Sequence, residues 1–264
     1  MLLLSASQLA SLCPSQPLLR ASRSAQSSVV NDLYRPISLD TLVKIRPEDI
    51  EAFHDYLRTI PFRYRDPAPS VLGRQLKTEG DVRMFFDICI LLAVWPVALA
   101  MVPPERNADL VLTGEKTYSG AHSSRPDFSI IAYDGTEHPP TVAQIVLKGP
   151  LGLEALRHVI RAESERRSIL PPDDWNTVTR QLRKYATTTR CRSILCSDQS
   201  DAYIFVFPAD ESTEQVQFLH ASDNGTGSLT IREAVLFLIY LGIPINSPFT
   251  IRYVYVCHSI LELC

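Results

Sequence analysis

No glycine-rich phosphate loop, nucleophilic triad or cofactor fingerprint occurs in this chain, which removes the sequence grounds for three common enzyme classes. His54, His122, His138, His158, His220 and His258 lack any ligand-like spacing. The six cysteines, at 13, 89, 191, 196, 257 and 264, form no CxxC or finger-like pair, so a structural zinc site is not expected. Most lie in apolar runs, which favours reduced thiols and a cytoplasmic or nuclear setting. An excess of positive charge is missing too. With a net charge of −3, any grip on nucleic acid must come from a local patch. Residues 1–31 hold no acid and only two arginines, Arg20 and Arg23. Their apolar start is too short for a secretory signal. We expect a disordered tail there, and the composition also admits an organellar presequence.

What is present is ordinary globular sequence. At 264 residues and 45% hydrophobic content, the chain can bury one sizeable core. Pro47, Glu48 and Asp49 suit a helix start, and Ile50, Phe53, Leu57 and Ile60 make an apolar stripe that ends at Pro61. Residues 32–75 therefore read as a helical extension plus a connector. The most apolar stretch is 79–102. Asp87, the central Pro96 and the lack of a polybasic flank argue for a buried helix rather than a membrane span.

Strands are expected over 109–113, with 116–118 a candidate extension, then over 127–133 and 141–148. Asp134-Gly135 and Pro139-Pro140 break the chain between the last two. An antiparallel hairpin of that kind sets Asp127 opposite Lys148 and Ser129 opposite Val146. A charged segment at 152–168 reads as helical. Pro171-Pro172 and an aspartate N-cap then introduce a helix over 175–187, whose inner face carries Trp175, Val178, Leu182 and Tyr185. Gln181 lies at the edge of that face. Arg180, Arg183 and Lys184, followed by Arg190, form a basic outward face suited to phosphates, whether of DNA or RNA. Strands over 192–196, 202–207 and 215–220, a helix over 231–241 and a last strand over 250–257 complete the chain.

Pro126-Asp127 at one strand start, and Lys148 at the end of the next, resemble the PD-(D/E)xK phosphodiesterase superfamily. The order of elements over residues 76–210 is similar to its restriction-endonuclease-like core. That resemblance implies an α/β fold: an αβββαβ core with a central mixed sheet flanked by helices, filling residues 76–264. It implies Asp127 as a metal ligand, Lys148 as the group orienting the attacking water, Gln181 in support, and Mg²⁺ or Mn²⁺ as cofactor if the site is active. The second acid is absent, because Val146 occupies its position. Glu79 and Glu154 are the carboxylates able to approach from flanking helices, and Glu79 is also a natural partner for a helix dipole. Two expectations follow from the resemblance, an impaired site on a nucleic-acid-binding or interaction module and an active nuclease with a relocated acid. A third reading is an α/β interaction domain unrelated to nucleases. The chain also resembles fungal proteins in which such a module precedes a kinase-like domain, which implies a downstream domain or protein partner.

Overall fold

Apolar residues fill successive positions of the central strands, so both faces of the sheet must be covered. The structure, a computed structural model, describes residues 4–13, 18–19, 34–61, 63–64, 75–76, 78–102, 109–114, 126–133, 139–149, 152–165, 167, 169–198, 200–208 and 214–243. Its main sheet has seven strands: β1 (Leu42–Lys44), β2 (Asp109–Gly114), β3 (Phe128–Tyr133), β4 (Thr141–Leu147), β5 (Ser193–Ser197), β6 (Asp201–Val206) and β7 (Val216–Ser222). Their order is β1-β7-β6-β5-β4-β3-β2. Strands β2, β3 and β4 form an antiparallel meander, β4 and β5 run parallel, and β6 and β7 return antiparallel. A parallel neighbour requires a crossover. Two helices supply it, α4 (Glu154–Ser164) and α5 (Asp173–Thr189).

Alternation along the strands sorts side chains between two cores. Ala143, Ile145 and Leu147 of β4 join one, beneath α1 (Ala6–Ser11), α2 (Pro47–Thr59), α3 (Glu79–Ala100) and α6 (Ile231–Gly242). Val146 joins the other, with Ile194, Cys196, Tyr203 and Phe205, beneath α4 and α5. The result is an α/β protein with a mixed seven-stranded sheet flanked by helices.

Helix α3 is long and apolar enough to cross a membrane, yet Val82, Phe85, Phe86, Val94 and Val97 all lie in the first core. It passes through a π-helical stretch at Phe86–Leu91. There the carbonyl of Cys89 accepts Nη2 of the fully buried Arg232 at 2.9 Å.

Three expectations change. First, part of the supposed tail is α1, which buries Ala6, Leu9 and Ala10 and starts with a reciprocal Ser5–Gln8 cap. Its last carbonyls meet α6: Thr230 Oγ1 donates to Ala10 O at 2.8 Å, and Arg232 Nη1 reaches Leu9 O. Second, within the expected extension α2 and β1 pack onto the sheet domain. Phe53 of α2 packs edge-on against Phe237 of α6 at 5.1 Å, and β1 pairs with β7.

Third, the β3–β4 register differs from the simple hairpin. Ser129 faces Gln144, not Val146, and Phe128 faces Ile145. Continuing the ladder one step sets Asp127 level with Val146 rather than Lys148. The ladder is irregular between Ile130 and Ile131, where Val142 is an extra residue on β4. A two-residue shift preserves which face each side chain occupies, whereas a one-residue shift would have reversed it. Asp127, Ser129, Gln144, Val146 and Lys148 therefore still share one face. The expected strands over 116–118 and 250–257, and the loop over 119–125, lie outside the described residues.

Candidate active site

Asp127 stands just before β3, after a proline that has no N–H to offer the ladder. Its Oδ2 accepts the N–H of Leu147 at 2.8 Å, completing the pairing where the backbone ladder stops. Lys148 follows β4 directly, and its own N–H donates to Ser197 O across the parallel pair at 2.8 Å. Gly152 N donates to Gly149 O at 2.7 Å, folding the chain tightly back. A Cβ on Gly152 would come within 2.7 Å of Lys148 Cβ, so only glycine allows that approach.

The lysine side chain turns toward α5. Nζ donates to Gln181 Oε1 at 2.7 Å, and Gln181 Nε2 donates to the hydroxyl of Tyr185 at 2.7 Å. Gln181 and Tyr185 are one helical turn apart, which puts both over the same sheet end. Glu79 approaches from the first turn of α3, where its carboxylate feels both Lys148 and Asp127. The structure thus brings Asp127, Lys148, Gln181 and Glu79 together. Glu154 is exposed at the start of α4 and, among the described residues, makes no hydrogen bond or ion pair with them.

Charge is poorly compensated here. Burial raises the pKa of Asp127, although the Leu147 N–H, Arg83 and Lys148 all pull it back. Burial also raises that of Glu79; Lys148 opposes the rise and Asp127 adds to it. Tyr185 is pushed up to about 12, mainly by burial, and Cys196 beneath it likewise to about 12, so neither is a ready nucleophile. Val146, on the same face, is 2% exposed within the second core and offers no ligand. Two under-compensated carboxylates beside a lysine fit a hard, oxygen-ligated cation such as Mg²⁺ or Mn²⁺, which keeps much of its water shell. No cluster of three or more potential ligands occurs among the described residues.

Arg180, Arg183 and Lys184 fall within about a 100° arc of α5, with Arg180 between the other two. Arg180, Arg183 and Lys184 are half-buried and Arg190 is exposed, at the left-handed helix cap with φ 55°. At 3.6 residues per turn, Arg183 lies roughly 160° around the helix from Gln181, while Lys184 stays on the Gln181 side.

Several polar residues escaped the sequence reading. Arg83, one turn after Glu79 on α3, lies over the Phe128 ring at 5.3 Å and acts on Asp127. The i,i+4 spacing from Glu79 was the available signal. Ser129 and Gln144 are fully buried neighbours across β3 and β4, and neither side chain has a hydrogen-bond partner among the described residues. At the same sheet end, Arg157 of α4 bonds Asp198, and also Asp201 at 2.5 Å; Asp201 in turn meets His220 Nε2 at 2.6 Å. No local pattern announces that network.

Compared with known protein families, curated proteins and solved structures, the chain matches none.

Proposed function

We propose that this chain is a nuclease-like domain of the PD-(D/E)xK type, with hydrolysis impaired and phosphodiester binding retained, its ligand being DNA or RNA. One observation carries the reading. Asp127, Lys148, Gln181 and Glu79 converge at one end of the sheet, while the position of the second acid is the buried Val146. The connectivity supports it: a helix, three antiparallel strands, helices, then a strand parallel to the third, as in an αβββαβ core.

In this reading Lys148 meets the phosphate or its attacking water, and Gln181 holds the ammonium in place through Oε1. Asp127 and Glu79 are the residues that would hold a divalent cation. When bound, such an ion lowers the pKa of a coordinated water and offsets charge on the phosphate. With only two carboxylates, binding depends on oxygen atoms from the substrate to complete the shell.

A second reading, an active phosphodiesterase with Glu79 as relocated acid, is favoured by the position of Glu79 within the field of both Asp127 and Lys148. Mn²⁺ titration by calorimetry, with cleavage assays on single- and double-stranded DNA and RNA, separates the two. The impaired domain binds oligonucleotide without cutting it, and V146E creates Mn²⁺ binding absent from the parent. The active enzyme cuts, and loses that activity in both K148A and E79Q. No nucleic-acid binding by the parent, together with no metal gained by folded V146E, would remove the nuclease-like reading entirely.

A further inference from the structure

We propose that Arg35 and Arg183 form a separate phosphate-binding site, on the flank of α5 opposite Gln181. The chain before β1 is laid along this helix by two bonds. Trp175 Nε1 donates to Ile37 O at 2.9 Å, and Ile37 N–H donates to Thr179 Oγ1 at 3.2 Å. Arg35 precedes Ile37 by two residues, and Arg183 lies one turn beyond Thr179. The segment therefore brings two guanidinium groups near each other, and their charges repel.

Arg35 is exposed to solvent on this flank. Arg183 is half-buried, and its Nε is shielded from solvent without an acceptor. Among the described residues, neither Arg35 nor Arg183 makes a side-chain hydrogen bond or an ion pair. Exposed Glu214, just before β7, attracts Arg183 without closing an ion pair with it. Two guanidinium groups brought near each other are matched by the oxygens of a phosphate group, which accept paired N–H bonds and cancel the repulsion. Burial itself disfavours the charged form of Arg183, so an anion is what stabilises it there.

A free phosphate or phosphomonoester and a nucleic-acid backbone share this chemistry, and the test distinguishes them. The full chain is titrated at low ionic strength with inorganic phosphate and, separately, with a single-stranded oligonucleotide. The site requires that at least one probe bind. Its affinity should fall about tenfold in R35Q and in R183Q, the loss expected for a charged hydrogen bond. E214Q, which removes the competing carboxylate, should bind several-fold tighter. Response to phosphate alone assigns a small phosphate ligand; response to the oligonucleotide alone assigns a backbone contact. Absence of binding to either probe, or affinities unaltered in R35Q and R183Q, overturns the proposal. If the arginine variants do not fold, unchanged or weaker binding by E214Q overturns it instead. Because Mn²⁺ binding by V146E reports on the other site alone, failure here leaves the nuclease-like reading separately testable.

Discussion

Two clusters of charge share one end and one face of the sheet, yet they are built on opposite terms. Around Arg157 every charge has a mate. The guanidinium spans Asp198 and Asp201, Asp198 also accepts backbone N–H groups of Ser200 and Asp201, and Asp201 holds His220, whose ring stacks on Tyr203 at 4.8 Å. Around Lys148 the ledger stays open: two carboxylates, buried enough to resist ionisation, face an ammonium that donates to a neutral amide. Closed networks hold a fold together, whereas open ones await something from outside. That difference separates scaffold from candidate site here.

The sharpest way to break the contrast is R157M. It removes the shared cation from two aspartates whose side chains are 1% and 8% exposed, so the loss should reach about 3 kcal/mol by urea denaturation. A change below about 1 kcal/mol would mean the network is ornamental.

D201N comes next, at about 1.5 kcal/mol near neutral pH. Burial works against the Asp201 charge, but His220 and Arg157 outweigh it and lower its pKa. Its contribution is thus complete above the unfolded carboxylate range and disappears as pH falls through the lowered folded value. Its neighbour Asp198 shifts the other way, because deeper burial dominates there. The D201N variant should therefore lose that acid-side slope while retaining the one due to Asp198.

D127N should do the reverse and stabilise the protein, by about 1 kcal/mol at pH 7 without added metal. Asparagine keeps an acceptor for the Leu147 N–H and removes a carboxylate whose pKa is raised. For such a group, stability falls as pH rises from the unfolded carboxylate range through the higher folded value. A flatter stability–pH profile in D127N would agree; a loss of stability at pH 7 would make Asp127 structural. Smallest of all is K148M, at about 0.5 kcal/mol by the same denaturation. A cost rivalling that of R157M would erase the distinction between the two clusters.

The strands and the long amphipathic helix were legible because periodicity reports burial directly. Trp175, Val178, Leu182 and Tyr185 repeat every three or four residues and all face the second core. Gln181 could be placed at the edge of that face by the same count. The β3–β4 register could not, because one extra residue at Val142 leaves no mark in composition. Arg157 illustrates a deeper limit, since its partners Asp198 and Asp201 lie more than forty positions away. Nothing in the intervening sequence pairs them. Arg183 shares the arc of Arg180 and Lys184 that helical spacing indicates, but no sequence signal showed that the chain around Ile37 runs along its edge.

The docking of α1 onto α6 has a consequence for how the protein is made. Thr230 and Arg232 receive the carbonyls of Ala10 and Leu9 across 220 and 223 positions of chain. During synthesis the first helix can meet α2 and α3 early, but the partners of its last carbonyls arrive only after nearly all the described structure has followed. Assembly is therefore bound to finish late, with long-range closure as the slow step and an interval of stickiness before it.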